Sequence, residues 1–181
     1  MGGGPVSDIQ NTHHRRSIRL PGCDYSQPGA YFVTLCTYDR QPLLGEIIDG
    51  QTQLNKFGGI VREEWINTGN LRTEITLDEW VIMPNHFHGI LFIGDCRGTA
   101  RRAPTVERFG QPVPGSIPTV IRSFKSAVTK RINTLRESPG QPFWQRNYWE
   151  HVIRNEADLN QTRESIRNNP ARWEEDRNNR P

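Results

Sequence analysis

Val81-Ile82-Met83-Pro84-Asn85-His86-Phe87-His88-Gly89-Ile90-Leu91-Phe92-Ile93 contains two apolar runs that meet at Pro84-Asn85. The pattern predicts a β-hairpin with arms from Ile75 to Met83 and from Phe87 to Ile93. A strand sends alternate side chains to opposite faces, so His86 and His88 project from one face while Phe87 turns into the other, next to the core. Neutral imidazoles are good ligands for divalent metals, and a pair on rigid strand backbone loses little entropy when an ion arrives. The alternative is two histidines on a half-exposed sheet face. The neighbouring turn predicts access to solvent.

Outward from the hairpin, Ala30 to Tyr38 alternates and is rich in aromatic and β-branched residues, which predicts a first strand. Asn55 to Thr68 sets Phe57, Ile60, Val61 and Trp65 at helical spacing and stops at Gly69, with Gly58 and Gly59 as interruptions. Beyond the hairpin, residues 94–115 are rich in Gly, Pro and Arg without apolar periodicity, the composition of a mobile basic loop. Ser116 can cap a helix with Pro118 in its first turn, and Ile117, Ile121, Phe124, Val128, Ile132 and Leu135 make one apolar stripe along it. Trp149 to Arg154 reads as a short fourth strand. Asn155 then caps a last helix, with Asp158 placed for a capping box and Pro170 ending it. The order predicts an α+β fold: a ferredoxin-like (split βαβ) sandwich, an antiparallel sheet with helices on one face plus an added C-terminal helix. One domain over residues 15–173 is expected, between a disordered leader (1–14) and a charged tail (174–181).

The chain has 181 residues, long enough for one domain with a proper core. No stretch approaches the roughly 20 apolar residues that span a bilayer, and mean hydropathy is −0.73. The first residues lack the basic and apolar regions of a signal peptide, so a cytoplasmic location is expected, with no membrane partner. Cys23, Cys36 and Cys96 are widely spaced without a Cys-x-x-Cys, which argues against a disulfide framework and against a structural zinc site. There is no internal repeat, nucleotide-binding glycine fingerprint or heptad.

Net charge is only +3, but the pI is near 9.0 and the cations are clustered. Arg15, Arg16 and Arg19 lie near the start, Arg101 and Arg102 in the basic loop, and Arg122, Lys125 and Arg136 on the flank of the helix predicted to follow Ser116 and to end before Pro139-Gly140. Clusters of this kind suit phosphate, although arginines also solvate ordinary surfaces. Trp144, Tyr148, Trp149 and Trp173 are either core residues or rings on which bases stack, and Arg146 and Arg154 supply the basic neighbours that stacking uses.

Five segments together resemble the REP-associated tyrosine transposases, which belong to the single-tyrosine HUH transposases. They are Arg19-Leu20-Pro21-Gly22, Ala30-Tyr31-Phe32-Val33-Thr34, Met83 to Gly89, Phe143 to Tyr148 with Glu150 to Arg154, and Asn169-Pro170. The resemblance covers roughly residues 15 to 173. It implies a ferredoxin-like fold, monomeric or homodimeric, that binds single-stranded or hairpin DNA such as palindromic repeats. It also implies that His86, His88 and a further polar residue, His151 or Asn169, hold Mg or Mn. A helix tyrosine would then attack a DNA phosphodiester to give a 5′-phosphotyrosine link, the basis of transposition and recombination. The family carries that tyrosine in a Tyr-Ile-x-x-Asn-Pro run, whereas this chain reads Ser165-Ile166-Arg167-Asn168-Asn169-Pro170. Ser165 occupies the tyrosine position, and a serine hydroxyl is hard to ionise without a neighbouring base. Tyr148 is a rival nucleophile by its nearness to His151. Impaired activity is therefore expected, with a non-catalytic DNA-hairpin binder, domesticated or degenerate, as the alternative. An RNA-binding module would also suit the layout, but it gives the His pair no role.

Overall fold

The computed structural model describes residues 28–94, 113 and 115–179. The expected 1–14 leader, most of the 94–115 loop, and Arg15, Arg16, Arg19, Arg101 and Arg102 lie outside the described residues. The first strand, β1 (Gly29–Cys36), buries Tyr31, Val33 and Leu35 on one face and turns Ala30, Phe32, Thr34 and Cys36 to the other. It is followed by a short hairpin, β2 (Gly45–Ile48) and β3 (Gln51–Leu54), and by helix α1 (Lys56–Asn70). β4 (Ile75–Ile82) and β5 (His86–Ile93) form the main hairpin. Helix α2 (Ile117–Leu135), β6 (Trp149–Ile153) and helix α3 (Glu156–Asn168) complete the domain. Two 3-10 turns, Pro170–Glu175 and Arg177–Asn179, end the described chain.

The main sheet has the order β4-β5-β1-β6, with every described pair antiparallel. This is the α+β, ferredoxin-like arrangement. Helices α1 and α2 cover one face, where Val61 and Trp65 meet Phe87, Phe124, Ile121 and Leu91. Helix α3 covers the opposite face through Leu159 and Ile166, which pack on Ala30, Ile90 and Ile153. With both faces covered, β5 is buried along nearly its whole length. No helix among the described residues is long and apolar enough to cross a membrane.

Local chemistry explains the boundaries. Asn55 caps α1 by accepting from the Phe57 and Gly58 amides. Gly58 is required there, because a Cβ would fall 2.2 Å from the Leu44 carbonyl oxygen. Ser116 stands at the N-cap of α2, but its hydroxyl pairs with Thr119 Oγ1 at 3.3 Å instead of capping a backbone amide. The expected stripe of α2 is buried from Ile117 to Ile132, whereas Leu135, at the last turn, is exposed. A bulge between Leu77 and Trp80 sets two residues of β4 against one of β5. Its residues Asp78 and Glu79 take ion pairs from Arg163 and Arg167, one turn apart on α3, and this fixes that helix along the β4 edge.

Candidate metal centre

The central strand β5 carries the His pair, and its alternation sets the pair on the α3 face while Phe87 enters the α1/α2 core, 4.6 Å from the Trp65 ring centroid. Thr34 stands directly opposite His88 in the β1–β5 register, and its Oγ1 is 2.8 Å from His88 Nδ1. His86 Nδ1 lies 2.8 Å from Asn85 Oδ1. The Asn85 amide is oriented by its other end, where Nδ2 donates to the Asn178 carbonyl at 2.7 Å. An amide oxygen only accepts, so His86 carries its proton on Nδ1 and leaves the Nε2 lone pair bare.

That lone pair faces a carboxylate. The chain returns after Pro170 and lays Asp176 over the strand, with Asp176 Oδ2 3.6 Å from His86 Nε2. The Asn178 amide donates to Asp176 Oδ1 at 2.6 Å, which orients the carboxylate within its own turn, and Arg40 donates to the Arg177 carbonyl at 3.1 Å, which anchors that turn to the domain. Trp173 adds a ring 6.0 Å from that of His86. His86 is 0% and His88 7% exposed, so the pair is buried beneath the C-terminal turns and lacks the solvent access its nearness to a turn predicted. The pair does lie beside the hairpin turn, and its cover comes from a distant segment.

One ligand atom from each of His86, His88 and Asp176 lies within 4.8 Å of the others. Burial lowers the His86 pKa to about 4 against the raising effect of Asp176, with Arg40 lowering it further. His88 is held well below the ordinary value by burial first, then by His86 and Arg177. Both imidazoles are therefore neutral at physiological pH. A bare nitrogen lone pair and a carboxylate oxygen then face each other with no proton between them, and His86 Nε2 has no hydrogen-bond partner among the described residues. A buried pair of acceptors is costly unless a cation joins them. Two imidazole nitrogens and a carboxylate fit a divalent ion, and this mixed donor set suits Mn better than Mg, which prefers oxygen.

The other predicted residues fall into separate places. Ser165 is exposed on α3 and lines a cleft of about 490 Å³ together with Asn169, Arg172 and Asp176. Asn169 Oδ1 is buried there without a hydrogen-bond partner among the described residues. His151 does not join the cluster. Its Nε2 meets both carboxylate oxygens of Asp158 at 2.9 and 3.1 Å, and Asp158 is lowered by that bond and by the Arg154 amide. Asp158 thus accepts from the Arg154 amide while its own amide donates to Asn155, which departs by one residue from the expected capping box. The Tyr148 ring packs against the α1/α2 core, on the face opposite the His pair. Arg122, Arg146 and Arg154 are exposed. Lys125 donates to the Gln145 and Arg146 carbonyls at 2.6 and 3.1 Å, and burial lowers its pKa to about 8.

Asp176 was absent from the sequence reading. It sits in a polar stretch with no periodic pattern, and nothing local signals that it meets β5. It is the last of three consecutive acids, Glu174-Glu175-Asp176, and nothing in the run singles it out.

No family model matches the chain. Among solved structures, one of a REP-associated tyrosine transposase bound to a REP hairpin is similar over 80% of this chain and 68% of that one, with a TM-score of 0.53 and 21% identity. That likeness is one of fold. An uncharacterized protein of Haemophilus influenzae is 40% identical over 168 residues, spanning 91% of this chain and 92% of that protein. Identity at that level across nearly the whole of both sequences means that this chain belongs to the same family as the Haemophilus influenzae protein.

Proposed function

We propose that this protein is a cytoplasmic, transposase-type DNA-binding protein that recognises single-stranded or hairpin DNA and holds a divalent metal, Mn or Mg, at His86, His88 and Asp176. The observation that carries the reading is the buried meeting of three ligand atoms within 4.8 Å, with a bare imidazole nitrogen turned toward a carboxylate. The fold shared with a transposase bound to a REP hairpin, together with a pI near 9.0, supports DNA as the partner. The chemistry such an ion supplies is charge neutralisation and orientation of a phosphodiester. Thr34 and Asn85 would fix the rings of His88 and His86, so that the ligand nitrogens keep their aim. Asn169 is a candidate for a further oxygen ligand, since its buried amide oxygen belongs to a residue that lines a cleft with Asp176.

Ser165 stands where the nucleophilic tyrosine of the resembling family would be, on the wall of the same cleft. A serine reaches less far than a tyrosine and ionises far less readily, so this copy is expected to bind DNA and to cleave it poorly or not at all. The exposed serine and the buried ligands favour the second reading, a hairpin binder without catalysis.

The test incubates labelled hairpin DNA and Mn with wild type, Ser165→Tyr and Tyr148→Phe, and looks for a covalent adduct on a denaturing gel. An adduct is expected only with Ser165→Tyr. An adduct in wild type that Tyr148→Phe abolishes would overturn the Ser165 assignment. Failure of wild type to bind the hairpin would overturn the DNA reading.

A further inference from the structure

Four aromatic residues invite a base-stacking role in the sequence, and the fold separates them. Trp144 is buried at 6% exposure and Tyr148 packs on the α1/α2 core, while Trp173 covers His86. Trp149 is different. It is 45% exposed at the start of β6, on the sheet face that carries the His pair. In the β1–β6 register Trp149 stands opposite Thr34, the residue whose hydroxyl meets His88. A run of rings connects it to the centre: Trp149 to Phe32 at 5.6 Å, Phe32 to His88 at 5.3 Å, and His88 to His86 at 4.5 Å.

A cation and a second ring flank the indole. The Arg177 guanidinium lies 5.9 Å from the Trp149 ring centroid, and the His151 ring is within 9° of parallel to the indole. The acid facing this group from α3, Asp158, is engaged by His151. An exposed ring beside a cation attracts a partner that joins a flat aromatic surface to an anion, which an unpaired nucleotide does.

We propose that Trp149, with Arg177 and His151 beside it, is a stacking subsite for an unpaired nucleobase of DNA bound along this face of the sheet, next to the buried His86–His88–Asp176 cluster. This rests on the DNA reading above. Arg177 reaches the adjoining phosphate, and the indole takes the base.

The test compares wild type, Trp149→Ala and Trp149→Phe by fluorescence anisotropy. One probe is a fluorescein-labelled DNA hairpin with a randomised unpaired extension; the other is the same hairpin with an abasic extension. Trp149→Ala is expected to weaken binding of the first probe about 5- to 100-fold, and Trp149→Phe to stay within about threefold of wild type. On the abasic probe the three proteins should bind alike. Equal binding of the first probe by wild type and Trp149→Ala would overturn the subsite and leave the DNA reading standing. The same would follow from a Trp149→Ala deficit of equal size on the abasic probe. If wild type binds neither probe, both readings fail.

Discussion

Asp176→Asn separates a ligand from a merely structural acid, because the substitution keeps shape and changes only charge and hydrogen bonding. In the metal-free protein the introduced amide nitrogen would donate to the bare Nε2 of His86, replacing a face-off between two acceptors with a hydrogen bond. We expect apo stability to rise by about 1 kcal/mol while Mn affinity falls about 10- to 100-fold, read by thermal melting with chelator and by calorimetry. A structural role would lower stability and leave Mn binding alone. At this scale the sequence revealed the two of the three ligands that are local. His86 and His88 declare themselves by alternation, since strand geometry alone puts them side by side. Asp176 does not, because its approach depends on where the chain goes after Pro170, and no spacing encodes that return. Asn169 and Ser165 were legible only through the family resemblance.

The elements were mostly readable because each carries one dominant period. The β4–β5 hairpin, α1, α2, β6 and α3 all occur, with ends within a few residues of the expected ones. The β2–β3 hairpin was missed, although its signal is present: Asp49-Gly50 joins the two strands, and both residues have positive φ, 50° and 71°. Such a pair builds the turn whose twist suits a tight hairpin. Strands of only four residues, with Glu46, Ile48, Gln51 and Gln53 exposed and no fully buried side chain, hide that signal in ordinary loop composition. Gly89 tests how closely the core holds β5. A Cβ there would lie 2.8 Å from Phe87 Cζ and from Trp65 Cζ2, and both rings are fully buried. Gly89→Ala should therefore cost about 1–3 kcal/mol by urea unfolding, with an unchanged dependence on denaturant. A neutral result would show that the rings can move aside.

Taken whole, the domain hides two neutral histidines between its sheet and its tail, and this makes its stability respond to acid. In the unfolded chain an imidazole titrates near 6.5, whereas folded His86 does so near 4, and His88 is lowered in the same direction. The unfolded state binds more protons between those values, so stability is complete above about pH 6.5 and declines as the pH falls toward about 4. His86 alone should remove about 2 kcal/mol by pH 5, measured by urea unfolding in chelator. A flat profile would mean that the imidazoles are solvated. The arrangement also has a kinetic consequence. His86 and His88 belong to a central strand locked between two layers, and dislodging them means breaking the domain. Asp176 lies between two short 3-10 turns held by a few hydrogen bonds, which open at far smaller cost. An ion bound by all three would be gripped by one jaw as durable as the fold and one far easier to open, so its residence time would follow the opening of the 3-10 turns that carry Asp176.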